Sequence, residues 1–198
     1  MANQKVVLAS GNAGKLREFN IMLNDCGFDV RAQSEFNVVE VPETGLTFVE
    51  NAIIKARNAC QQTGLPAIAD DSGIEVDALN GAPGIYSARF AGPNCKDSDN
   101  NAKLLVDLAN TPTEERTARY QCVLVFMRHQ LDPTPIIAQG SWEGTILNAP
   151  RGNEGFGYDP LFWVHSHQCA SAELSKDIKN TISHRAKAMA TLLKKLSS

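Results

Sequence analysis

The chain has 198 residues, with 19 Lys and Arg against 22 Asp and Glu for a net charge of −3. Its 43% hydrophobic and 21% charged residues exclude disordered and fibrous classes. The acidic balance excludes a protein that coats nucleic acid with massed Lys and Arg, yet allows one nucleotide in a locally basic pocket. A chain this long forms one domain, residues 1–198, or two lobes on a shared sheet, and buries roughly 70% of its unfolded surface. Five scattered cysteines (Cys26, Cys60, Cys95, Cys122, Cys169) contain no CxxC pair, so they read as free thiols in a reducing compartment. The start, MANQKVVLAS, is too weakly apolar for a signal peptide. The apolar run 122–127 is far short of the ~20 residues that cross a bilayer. The expectation is a cytoplasmic protein with neither membrane nor nucleic acid as partner.

Strand-type and helix-type patterns alternate along the chain, which points to a layered α/β fold. Residues 5–10 read as a buried strand broken by Gly11-Asn12. A helix from about Gly14 to Cys26 follows, with Leu16, Phe19 and Leu23 on one face and Gly27 at its stop. Residues 28–33 and 36–41 read as short strands. The second helix is marked by the Thr47/Glu50 capping box, by Val49, Ala52, Ile53, Ala56 and Cys60 at helical period, and by Gly64. Residues 67–70 and 74–79 read as two strands around a turn at Asp71-Ser72-Gly73. A Gly/Pro loop at 80–84, a helix near 98–109 and a long strand at 118–128 come next. Two strands near 135–140 and 141–147, a glycine-rich loop at 150–160 and a short LFWVH strand follow. Ser183 caps a last helix from about His184 to Leu196.

Three clusters could carry chemistry. Ser10-Gly11-Asn12-Ala13-Gly14-Lys15 joins a strand to a helix start, where backbone amides and the helix dipole favour an anion. Lys15 opposes that dipole unless an anion lies between them. The Walker spacing fails, because two residues rather than four separate Gly11 from Gly14. An ordinary strand-turn-helix with a solvated lysine remains the alternative. Glu40, Glu43, Asp70 and Asp71 form an acidic set of hard oxygen ligands suited to magnesium beside a phosphate loop. Asp71 could instead simply start an Asx turn. Phe156-Gly157-Tyr158-Asp159, with Lys179, His184 and Arg185, offers an aromatic face for a nucleobase and cations at a helix start.

Seven motifs occur in register: Ser10–Lys15, Glu43-Thr44-Gly45-Leu46-Thr47-Phe48, Glu50-Asn51-Ala52, Asp70-Asp71-Ser72-Gly73, Ala82-Pro83-Gly84-Ile85-Tyr86-Ser87-Ala88-Arg89, Phe156-Gly157-Tyr158-Asp159-Pro160 and Ser183-His184-Arg185. Together they resemble the bacterial form of the inosine/xanthosine triphosphate pyrophosphatase family. The resemblance implies an elongated, two-lobed α/β structure around a long central mixed sheet, with flanking helices and a cleft. It implies a homodimeric, Mg2+-dependent hydrolase that cleaves ITP, dITP or XTP to monophosphate and pyrophosphate. Carried over, Ser10, Gly11, Asn12, Ala13, Gly14 and Lys15 hold the triphosphate. Asp71 is proton acceptor and metal ligand, and Glu43 is the second metal carboxylate. Ser72 contacts substrate, Phe156, Gly157, Tyr158 and Asp159 frame the base, and Lys179, His184 and Arg185 read its edge. Pro42 stands where bacterial relatives often carry another acid. A pyrophosphatase for other modified nucleotides, or a nucleotide sensor without turnover, are the competing readings.

Overall fold

The structure, a computed structural model, describes residues 4–11, 15–16, 19–20, 23 and 27–197. Among these residues seven strands form one mixed sheet in the order β2-β1-β3-β4-β5-β6-β7. They are β1 (Gln4–Leu8), β2 (Phe28–Ala32), β3 (Ala67–Val76), β4 (Thr117–Met127), β5 (Ile136–Ile146), β6 (Phe162–Val164) and β7 (Cys169–Ala170). β1 runs parallel to β2 and β3, whereas β6 is antiparallel to β5 and β7. The α-helices are α1 (Phe48–Thr63), α2 (Asp97–Asp107), α3 (Lys176–Ile182) and α4 (His184–Leu196). Lys15, Leu16, Phe19, Asn20 and Leu23 are helical as well. Among the described residues no helix is long and apolar enough to cross a membrane.

The chain forms two compact units. The first comprises Met1–Asp71, Cys122–Gly140 and Lys187–Ser198, the second Ser72–Gln121 and Ser141–Ala186. In the first, successive strand side chains alternate between two cores, as the period of two demands. Val6, Leu8, Ile68, Cys122, Leu124 and Phe126 pack with Phe19, Leu23, Met189 and Leu192. Val7, Ala67, Ala69, Val123, Val125 and Met127 pack instead against Ala52, Ala56, Ala59 and Cys60 of α1. The sheet is therefore apolar on both faces here, with helices covering each. The second unit has its own core, built on Ile74, Leu104, Leu108, Tyr120, Trp142, Ile146, Leu161 and Phe162.

Helix limits follow local chemistry. Thr47 is the N-cap of α1, accepting from the Glu50 amide at 3.3 Å, while the Glu50 carboxylate accepts from the Leu46 amide at 2.9 Å. Gly64, at φ 69°, ends the helix, a conformation that costs glycine little. α4 begins at His184, and the Ala186 amide donates to Ser183 Oγ at 3.3 Å.

Elsewhere the structure departs from the sequence reading. Residues 36–41 are not a strand: Asn37 adopts φ 53°, and the Val39 amide and carbonyl bond to side chains of Asn58 and Gln62 on α1. The pairs at 67–70/74–79 and 135–140/141–147 are single strands, β3 and β5. No turn interrupts β3, because the charges of Asp70 and Asp71 are met by lysines within the fold. α3 went unread because none of its residues is buried, so it carries no apolar stripe. Cys60, Cys95, Cys122 and Cys169 are free, as read, but Cys95 and Cys169 are only partly buried. Burial pushes the Cys60 thiol up to about 11.

Asp132, after β4, accepts from the amides of Arg128 and Thr134, both at 3.0 Å, and from the Arg128 guanidinium. That guanidinium holds its carboxyl well below the usual range. A depressed native pKa stabilises the fold above the unfolded value of ~3.9, and the contribution fades as pH falls below it. Asp132→Asn is expected to cost about 1–3 kcal/mol at pH 7. The gap to wild type should close as pH drops below ~4. Urea unfolding at both pH values checks this, and an unchanged gap contradicts it.

Candidate active site

The sequence-predicted residues fall into two sets, one in each unit. In the first unit Ser10 and Gly11 follow β1, while Asn12, Ala13 and Gly14 lie outside the described residues. Lys15 is not a solvated lysine: its Nζ sits 2.7 Å from Asp70 Oδ1, whose side chain is fully buried. Glu40 is exposed, accepts from Gln33 Nε2 at 3.2 Å, and is not among the acids gathered on a lysine.

Glu43 and Asp71 are brought together by a residue that sequence reasoning missed. Lys55 Nζ donates to Glu43 Oε1 at 2.7 Å, to Asp71 Oδ1 at 2.7 Å and to the Asp70 carbonyl at 3.0 Å. The two carboxylate oxygens thus lie at most twice 2.7 Å apart. Lys55 projects from α1, next to the buried Ala56. A lysine abutting the apolar stripe of a helix was the signal available. Glu43 is delivered by the turn before α1, where the Gly45 amide donates to Asn51 Oδ1 at 2.8 Å. A Cβ on Gly45 would come within 2.5 Å of Glu50 Cβ, so this close approach requires glycine.

The charges in this cluster perturb one another. Burial pushes the Asp71 carboxyl above its usual value, and the Lys55 ammonium offsets only part of that. Burial also disfavours the Lys55 charge, but Asp71 and then Glu43 outweigh it and raise its pKa.

In the second unit the loop 155–159 folds around a buried carboxylate. Asp159 accepts from the Phe156 amide at 2.9 Å, Ser171 Oγ at 2.9 Å, Tyr120 Oη at 3.4 Å and Lys179 Nζ. Gly155, at φ 81°, passes so close that a Cβ would lie 2.1 Å from Asp159 Oδ2. Gly157 is held by Asp97 Oδ2 on its amide at 2.6 Å and by Asn101 Nδ2 on its carbonyl at 2.8 Å. Tyr158 is buried and donates to the Ser87 carbonyl at 2.8 Å, so it anchors the loop. Burial holds its phenol above the usual value. Phe156 stays 48% exposed, with Lys179 Nζ 5.1 Å from its ring centre. It is the aromatic of this loop that can offer a face to a ligand.

His184 and Arg185 are buried in the first turn of α4. The His184 ring stacks on Tyr120, and Arg185 Nη2 approaches Ser72 Oγ at 3.4 Å. Tyr120, Asp97 and Asn101 were not singled out from sequence, since a strand tyrosine and exposed-helix polar residues carry no local mark of a site.

The Ham1 family model matches residues 6–195. The chain belongs to the Ham1 family. It is 62% identical over 191 residues to the dITP/XTP pyrophosphatase of Vibrio cholerae, covering 96% of each chain. It is 60% identical to the protein of the same name from Vibrio parahaemolyticus, covering 98% of each. The solved HAM1 protein of Coxiella burnetii superposes with a TM-score of 0.94 at 49% identity over 98% of each chain.

For this Ham1 chain, the donor chemistry fits a hard divalent cation. Two carboxylates from separate segments already converge on one positive charge, that of Lys55. Among the described residues no cluster of three or more His, Cys, Asp or Glu could hold a metal alone. A magnesium ion would accordingly take substrate phosphate oxygens and water as its remaining ligands, as it commonly does.

Lys55→Met removes the ammonium that Glu43 and Asp71 share. A loss of about 1–3 kcal/mol in stability is expected. Adding Glu43→Gln should recover part of it, because one of the opposed charges is then gone. Thermal unfolding of the single and double variants checks this, and a Lys55→Met protein as stable as wild type contradicts it.

Proposed function

We propose that the protein hydrolyses the deaminated purine nucleoside triphosphates ITP, dITP and XTP to monophosphate and pyrophosphate, clearing them from the nucleotide pool. The observation that carries this is the convergence of Glu43 and Asp71 on one positive charge. It occurs in a chain 62% identical to a dITP/XTP pyrophosphatase. We read the working form as a cytoplasmic homodimer built from a single domain over residues 1–198, with purine nucleotide as its partner rather than nucleic acid or membrane.

The roles are those the family resemblance implies, and general chemistry accounts for them. Phosphoryl transfer is mostly positioning and charge neutralisation, because negative charge spreads over the phosphoryl oxygens. The Ser10–Lys15 segment and the Lys15 ammonium face the triphosphate in this reading. Glu43 and Asp71 would hold Mg2+, which would supply neutralisation of the phosphate charge. Asp71 orients a water toward the α-phosphorus and accepts its proton. Ser72 contacts the substrate, while Phe156, Gly157, Tyr158 and Asp159 shape the seat of the base.

Lys179, His184 and Arg185 read the base edge. Lys and Arg carry only donors, which suit the 6-oxo acceptor of hypoxanthine and xanthine and leave the 6-amino donor of adenine unmatched. Each such mismatch costs about 1–3 kcal/mol, and polar sites of this kind discriminate strongly.

A panel of nucleoside triphosphates with Mg2+, followed by pyrophosphate release, tests the substrate class. ITP, dITP and XTP should be preferred over ATP and over modified pyrimidines, and chelation should stop turnover. Tight ITP binding with no pyrophosphate would instead mark a sensor. Asp71→Asn should lose more than ~100-fold in kcat while keeping its fold, and near-wild-type turnover would remove Asp71 from its role. Arg185→Ala should lower the ITP:ATP ratio of kcat/KM by about tenfold or more, and an unchanged ratio would remove Arg185 from base reading.

A further inference from the structure

Beneath the base-reading residues lies a side chain that touches both halves of that set. Tyr120 is buried in β4, with its ring parallel to that of His184: centroids 4.7 Å apart, planes 11° apart. Its hydroxyl reaches Asp159 Oδ1 at 3.4 Å, the same oxygen that accepts from Ser171 Oγ at 2.9 Å. The other Asp159 oxygen takes the Phe156 amide and Lys179 Nζ.

We propose that Tyr120 is a positioning residue for base selection, its ring setting the plane of His184 and its hydroxyl tying that plane to the Asp159 hub of the 155–159 loop. This rests on the reading of His184, Lys179 and Phe156 as the groups that meet the base.

The terminal torsion of a histidine is broad, so a ring packed on its face narrows the range of its plane. Face-to-face contact with Tyr120 supplies that restraint, and Trp142 extends it, with its ring 6.5 Å from His184 and 17° from parallel. Tyr120 is itself wedged, with Phe162 at 4.6 Å and Trp142 at 6.3 Å, so it cannot yield as a lone ring would. Burial, and then the charge of Asp159, hold its phenol well above the usual value. The hydroxyl therefore stays protonated and donates to Asp159. A hydrogen bond read against the base edge depends on angle as well as distance. A tilted imidazole would lose the base while leaving the phosphate chemistry untouched.

The test uses the full chain with Mg2+ and measures pyrophosphate release from ITP and ATP. Tyr120→Leu should raise KM for ITP about tenfold or more with kcat within about threefold, the signature of lost uniform binding. Its ITP:ATP ratio of kcat/KM should fall in parallel. Tyr120→Phe keeps the ring and should restore KM to within about threefold of wild type. Leu108→Ala opens the same buried core at a residue outside the aromatic cluster. It should lower Tm comparably yet leave KM within about twofold. Tyr120→Met, which fills more of the space, serves in place of Tyr120→Leu if the latter does not fold. An unchanged KM in Tyr120→Leu or Tyr120→Met, or an equal rise in Leu108→Ala, overturns this inference alone. Absence of ITP turnover in the wild-type protein overturns the underlying reading and this inference with it.

Discussion

One ammonium group organises the first unit. Lys55 draws carboxylates from two distant segments, the turn before α1 and the middle of β3, to 2.7 Å from a single nitrogen. Like charges held this close repel unless a cation stands between them, and partial burial strengthens both terms. The arrangement explains why β3 can run straight through Asp70 and Asp71, since each carboxylate meets a lysine from a helical segment. It also explains the tight turn at Gly45, which Asn51 laces to the helix so that Glu43 reaches inward. The same charge geometry suits a divalent cation and a polyphosphate.

The second unit solves a different problem around Asp159. Here one buried carboxylate gathers an amide, two hydroxyls and a lysine, which fixes a glycine-rich loop that has no regular structure of its own. Buried charges are tolerable when their hydrogen-bonding capacity is filled. With Tyr158 anchored inward, Phe156 is left half-exposed beside Lys179.

What the sequence made legible was local. The Thr47/Glu50 box and Gly64 delimit α1, and Ser183 opens α4, because caps are written in adjacent residues. The unbroken apolar run Val6, Val7 and Leu8 foretold a buried strand, whose side chains the fold divides between two cores. The errors come from partners distant in sequence. Asp71-Ser72-Gly73 has the composition of a turn, yet it lies within β3, where Asp71 meets a lysine 16 residues upstream. Nothing local to Lys15 announces Asp70, 55 residues on, which its ammonium meets in the fold. Tyr120 reads as ordinary core in a strand of apolar residues, and its value lies in His184, which only the fold brings to its face.

The account is tested most directly by Mn2+ binding, followed through water-proton relaxation in the presence of a non-hydrolysable ITP analogue. Wild-type protein should give a strong ternary enhancement, and Glu43→Gln or Asp71→Asn should each abolish most of it. Equal enhancement in wild type and both variants would contradict the claim that these two carboxylates act as one cation-binding pair.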